Sequence, residues 1–163
     1  MTSVISNTSP LIGLSVLGKF DLLRELFSEV LIPESVFQEV TVKGTEGIGS
    51  QEVAKAIAEG WIKTTIPFES ETLTTLKVDL DIGEADAIAL ALENDADLLL
   101  LDERKARAKA QALGCNILGT IGVLLLAQTR GIEIDIRSAL NQLREFGFHI
   151  SDSIYQRILA SIE

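Results

Sequence analysis

Four consecutive leucines, Leu98 to Leu101, run between Asp97 and Asp102, and the stretch before them, from Glu84 to Asn94, reads as a helix. A helix of that length rises roughly 16 Å at 1.5 Å per residue. The strand from Asp97 to Asp102 climbs back over a similar distance at roughly 3.3 Å per residue. The chain descends and returns, so Glu84 and Asp102 are expected at one edge of a buried sheet. Carboxylates at the carboxyl end of a strand stand where open α/β proteins place their chemistry. Taken alone, the same two acids read equally well as a surface helix start and a turn.

The rest of the chain repeats this alternation of short apolar strands and longer helices. Thr2 to Ser6 is a strand ending at Asn7, and Ser9-Pro10 fits a helix start, with Ser9 as N-cap and Pro10 at the first helical position. Gly18 breaks that helix, and Phe20 to Phe27 forms a second amphipathic segment. Val30 to Ile32 is a brief strand stopped by Pro33. Pro33 to Val42 is a helix whose Val36, Phe37 and Val40 face inward. Thr41 to Ser50, with Gly44, Gly47 and Gly49, is expected to be a flexible loop. It is no phosphate loop, because no Lys-Ser/Thr pair follows its glycines. Glu52 to Glu59 is a helix, Trp61 to Ile66 an edge strand and Ser70 to Leu80 a helix. After the Glu84 helix and the leucine strand come a helix from Glu103 to Leu113, a strand Asn116 to Leu118 and a helix Ile121 to Thr129 capped by Thr120. Helices at 136–146 and 152–162, the latter capped by Ser151, form a C-terminal extension over 131–163. The pattern predicts one domain over 1–163, a three-layer α/β/α sandwich around a central parallel sheet.

Composition narrows the function. Of 163 residues, 47% are hydrophobic but only 5% aromatic, so the core is aliphatic. No apolar run approaches the roughly 18 residues that span a bilayer, and no secretory signal opens the chain. A single cysteine, Cys115, excludes an internal disulfide and fits a reducing cytoplasm. A single histidine, His149, excludes a His-rich zinc site; both residues are expected to be merely packed. The net charge of −10 argues against a whole-surface grip on nucleic acid, which depends on neutralising phosphates. It leaves room for a local basic strip, for a bound cation and for a basic protein partner.

In a parallel sheet every strand delivers its carboxyl end to the same edge, so Asn7 arrives beside Asp102 if their strands are neighbours. Glu39, on the Pro33 helix opposite Phe37, and Glu84 complete a candidate cluster. Carboxylates converging with no Lys or Arg between them are stable only if they share a proton or a divalent cation. Oxygen ligands select Mg²⁺ or Mn²⁺. The natural chemistry is metal-activated water attacking a phosphodiester.

Four segments carry a resemblance: Asn7-Thr8-Ser9-Pro10-Leu11-Ile12, Pro33 to Val40, Gly83-Glu84-Ala85-Asp86-Ala87-Ile88-Ala89-Leu90-Ala91, and Leu100-Leu101-Asp102-Glu103-Arg104. Their order and spacing over roughly residues 2 to 130 resemble PIN-domain proteins, in particular a VapC-like prokaryotic subgroup. The resemblance implies an α/β/α fold and an acidic pocket for Mg²⁺ or Mn²⁺. It also implies endoribonuclease activity leaving 5′-phosphate and 3′-hydroxyl ends, and the role of a toxin held by a small antitoxin. By position, it assigns catalysis to Glu39, Glu84 and Asp102, and metal ligation to Asn7, Glu39, Glu84 and Asp102. One departure matters: the first family position is usually Asp, and here it is Asn7. An amide oxygen ligates a cation but brings no charge, which weakens affinity on the order of a few kcal/mol for a desolvated contact. The alternative is therefore a catalytically weakened binding module for RNA or a protein.

Asp86 projects about 200° around the helix from Glu84 and reads as structural, while Glu103 is balanced between site and scaffold. Arg104, Lys105, Arg107 and Lys109 form a basic helix face, read either as a weak RNA-contacting strip or as a solvated face pairing with nearby acids. The almost wholly apolar helix from Ile121 to Gln128 implies burial beneath the tail helices or in a homodimer interface. A phosphoacceptor receiver domain fails for want of two acids after the first strand, and a dehalogenase-type phosphatase for want of Asp-x-Asp there.

Overall fold

The structure is a computed structural model that describes residues 3–41 and 47–162. Most of the expected loop, at 42–46, lies outside the described residues, as do the Thr2 start of the first strand and the Val42 end of the third helix.

Five strands, β1 (Val4–Ser6), β2 (Val30–Pro33), β3 (Ile62–Thr65), β4 (Leu98–Leu100) and β5 (Ile117–Leu118), form one all-parallel sheet in the order β3-β2-β1-β4-β5. Ten helices are described: α1 (Thr8–Val16), α2 (Leu22–Phe27), α3 (Glu34–Thr41), α4 (Ser50–Glu59), α5 (Glu71–Asp79), α6 (Ile82–Glu93), α7 (Arg104–Ala112), α8 (Thr120–Thr129), α9 (Ile136–Phe146) and α10 (Asp152–Ile162). The inner strands β1, β2 and β4 are apolar because both faces are covered, while edge strand β3 exposes Lys63 and Thr64. Alternation along them splits the core into two layers. Val4 and Leu100 face α1, α2 and α8, while Ile5, Leu99 and Leu101 face α5, α6 and α7. The result is the expected α/β/α sandwich.

The order of strands locates the crevice. From β1 the chain steps outward to β2 and β3, then returns to the other side of β1 for β4 and β5. Connections leaving the carboxyl ends of β1 and β4 therefore diverge, which opens the gap where α/β folds bind ligands. The register pairs Ser6 with Leu100, and the Asn7 amide donates to the Leu100 carbonyl at 3.0 Å, so Asn7 and Asp102 flank that gap.

Helix α6 is buried from Gly83 through Ala91 on every side, wedged between the sheet and α3, α5 and α7. Ala85, Ala87, Ala89 and Ala91 keep its girth small enough for that. The tail helix α9 packs on α8 and α1; Val123, Leu124 and Ala127 of α8 are buried, and Ile121, Leu125 and Leu126 are partly buried.

Local capping follows the residue chemistry in most places. Ser70, Glu103, Asp135 and Ser151 each accept a backbone N–H at the start of a helix. The start of α1 differs from expectation: Asn7, not Ser9, stands at the N-cap, and Pro10 lies in the third helical position. The physical reason is that β1 passes into α1 without a loop, and Pro10 tolerates any site in a first turn whose N–H groups lack helical partners. His149 is exposed rather than packed, and Cys115 is half-buried against the α6 layer.

Candidate active site

Two oxygens meet over a glycine. Asn7 follows β1 directly, is 4% exposed, and its Oδ1 is buried with no hydrogen-bond partner among the described residues. Thr8, the first residue of α1, donates its hydroxyl to Glu39 Oε2 at 2.9 Å. Glu39 reaches there because Val36 and Val40 anchor α3 inward on the neighbouring face. Gly83, in the first turn of α6, faces both groups. A Cβ there would stand 3.0 Å from Glu39 Oε2 and 3.4 Å from Asn7 Oδ1. The missing side chain is the room in which the two acceptors approach.

Glu84 stands at the mouth of α6 in a capping box: its amide donates to Asp81 Oδ1 at 2.8 Å, and its carboxylate accepts the Asp81 amide at 3.3 Å. Burial, reinforced by the charge of Asp81, pushes its pKa from the ordinary 4.5 to about 7, against the bond from the Asp81 amide. The charges of Glu103 and Glu39 push the same way. Glu84 therefore titrates close to neutrality.

Asp102 has a different setting. Its Oδ1 accepts the Thr120 amide at 2.7 Å and its Oδ2 the Thr120 hydroxyl at 2.6 Å, so it caps α8 from the end of β4. Burial raises its pKa, opposed by the two Thr120 bonds and by the charge of Arg107. Arg107 Nη1 donates to the Leu101 carbonyl at 2.9 Å. Gly119 makes this possible, since a Cβ there would lie 2.8 Å from Asp102 Oδ1 and 2.9 Å from Arg107 Nη1.

The four predicted positions thus fall at the carboxyl edge of β1 and β4 in two groups. Asn7, Thr8, Glu39 and Gly83 make one, with Glu84 coupled to it by charge; Asp102, Thr120 and Arg107 make the other. Among the described residues no three acidic, His or Cys side chains are gathered closely enough to hold one ion. The donor set nevertheless fits a hard cation in kind: it is all oxygen, and the unmet Asn7 Oδ1 is a buried acceptor with no other occupation.

One expectation needs correction: the three acids do not converge into a single cluster, and Arg107 stands beside Asp102. The basic face of α7 is in part paired with a nearby acid, one of its two readings. Arg107 is drawn to the Leu101 carbonyl, and Lys109 pairs with Asp79 at 2.9 Å, which leaves Arg104 and Lys105 exposed. Asp86 has the structural place assigned to it, tying α6 to α3 through the Ser35 hydroxyl at 2.6 Å. Glu103 caps α7, accepting the Lys105 and Ala106 amides. Sequence reading missed Gly83, Gly119, Thr120 as a partner of Asp102, and the capping box. Only the last left a signal, an acid at Asp81 three residues before Glu84.

The DUF3368 family, described as a PIN domain, matches residues 3–163. Among solved structures, a domain of a functionally unknown protein from Methanocaldococcus jannaschii is 23% identical over 73% of this chain and 91% of that chain, with a TM-score of 0.46. No curated protein matches the chain.

Proposed function

The chain belongs to the PIN-domain family, and we propose that it is an Mg²⁺- or Mn²⁺-dependent endoribonuclease serving as the toxin of a toxin–antitoxin pair. The observation that carries this reading is the buried, unpartnered Asn7 Oδ1 beside Glu39 Oε2 at the strand-order switch. By their place in the family Asn7, Glu39, Glu84 and Asp102 are the candidate ligands of the cation, with Asn7 and Glu39 side by side over Gly83 and the three acids not gathered here around one point. When bound, such a cation polarises a phosphodiester and lowers the pKa of water. The chain's own side chains do the rest. Thr8 orients Glu39, Thr120 orients Asp102, and the Asp81 amide holds the carboxylate of Glu84. Arg104 and Lys105 remain free to meet RNA phosphates, and the acidic surface suits a basic antitoxin.

A second reading, a catalytically weakened binding module, is favoured by the missing charge at Asn7. Calorimetry with Mn²⁺, paired with cleavage of labelled RNA, separates the two. The nuclease reading expects wild-type protein to bind Mn²⁺ and cut RNA, Asn7→Asp to bind Mn²⁺ more tightly, and Asp102→Asn to cut nothing. Binding of RNA without cleavage by wild type or Asn7→Asp would favour the module. Metal-dependent cutting by Asp102→Asn would overturn the site assignment.

A further inference from the structure

An arginine beside a buried carboxylate ordinarily closes on it as a two-pronged pair, because guanidinium and carboxylate match in plane and spacing. Arg107 does not close on Asp102. Both Asp102 oxygens are taken by Thr120, and Arg107 Nη1 turns to the Leu101 carbonyl at 2.9 Å. A single point over Gly119 lies 2.8 Å from Asp102 Oδ1 and 2.9 Å from Arg107 Nη1, so the guanidinium stands close to the carboxylate. Even so, Arg107 makes no ion pair among the described residues. Its side chain is half-buried, yet Nε and Nη2 make no hydrogen bond among the described residues and neither is buried. Arg144, by contrast, spends Nε and Nη2 on the Ile150 carbonyl and on Asp152. The bond from Nη1 fixes where the open donors of Arg107 are. They lie within one guanidinium of the Leu101 carbonyl, at the carboxyl edge of β4 that also carries Asp102.

We propose that Arg107 is a catalytic residue that grips a phosphate of RNA lying against Asp102. The inference rests on the nuclease reading, in which Asp102 ligates a cation that meets a phosphodiester. A phosphodiester has two unesterified oxygens, which leaves one for the cation and one for the guanidinium. The donors still open on Arg107 sit in a rigid fork, the geometry that suits phosphate. A free anion meets the negative charges of Asp102 and Glu103 with nothing to offset them, so the class of ligand is a cation-bridged phosphodiester. Arg104, exposed and three residues earlier on α7, is a neighbour of Arg107 on the helix surface and stands ready for an adjoining phosphate. Contacts of this kind position the strand and carry no base preference.

Fluorescence anisotropy of a short labelled single-stranded RNA, with EDTA present so that nothing is cut, reads the grip apart from activity. Arg107→Gln should bind about tenfold more weakly. Its slope of log affinity against log salt should be shallower by about 0.7, the share of one phosphate on a single strand. Arg107→Lys keeps the charge and should keep the slope, and Lys63→Gln, which removes the same charge from β3, should leave the slope unchanged. With Mn²⁺ supplied, Arg107→Gln should cut at least about tenfold more slowly while binding Mn²⁺ no less tightly, since a positive charge beside Asp102 is gone. A merely structural Arg107 would move stability and not the slope. Circular dichroism checks folding. Should Arg107→Gln not fold, arginine side-chain NMR carries the test: the wild-type guanidinium signal missing from Arg107→Lys should shift when RNA is added, and an unmoved signal overturns the proposal. A folded Arg107→Gln with wild-type affinity and slope overturns it too. Wild type that binds RNA with the Arg107-dependent slope but never cuts sinks the nuclease reading and upholds the grip; no RNA binding at all sinks both.

Discussion

Replacing Glu84 by Gln keeps the shape of the side chain and the carbonyl that accepts the Asp81 amide, but removes the charge. In the folded protein Glu84 titrates at about 7 rather than 4.5. Between those values the folded chain holds a proton that the unfolded chain has lost, so stability falls as pH rises through the window. Below it both states are protonated and Glu84 carries no penalty; above it the full penalty applies. Taken whole, the shift corresponds to about 3 kcal/mol. Solvent reaches the mouth of α6 and screens the charge, so about 1–2 kcal/mol is the working figure. Glu84→Gln should therefore be more stable than wild type by that amount at pH 8, with a melting temperature higher by about 2–8 °C for a chain of this size. At pH 4.5 the two proteins should melt together. Urea denaturation at a series of pH values, without divalent metal, measures both. A stability difference that is the same at pH 8 and pH 4.5, or a variant weaker than wild type at pH 8, would refute the claim that Glu84 is held in a desolvated, acid-crowded position.

Gly83→Ala should leave stability unchanged or raise it by up to about 1 kcal/mol, since alanine favours a helix over glycine. Its Cβ, 3.0 Å from Glu39 Oε2, should displace that carboxylate and lower Mn²⁺ affinity about tenfold by calorimetry; undiminished affinity would remove the Asn7–Glu39 cradle from the metal site. Ser35→Ala strips Asp86 Oδ2 of its 2.6 Å hydroxyl partner and should destabilise the fold by about 1–3 kcal/mol in urea while Mn²⁺ affinity holds. A drop in metal affinity there would make Asp86 more than a brace between α3 and α6.

The sequence by itself determined the alternation of strand and helix, and with it the sandwich. Strands buried on both faces must be apolar, and Leu98 to Leu100 announces one without reference to anything distant. The same local rules placed Ser70, Ser151 and Glu103 at helix starts, because a cap is a contact between residues three or fewer apart. They also brought Asn7, Glu39, Glu84 and Asp102 to one edge, since parallel strands share a direction. Only the tertiary structure decided how these groups pair within that edge. Glu39 meets Thr8 and Gly83 across 31 and 44 positions, and Asp102 meets Thr120 across 18. Likewise Arg107 turns from the solvent face of α7 to a carbonyl six residues back because Gly119, on another strand's connection, leaves room for it. Contacts of this kind depend on where separate segments are packed to within a few tenths of an ångström. Neither periodicity nor spacing along the chain carries that information.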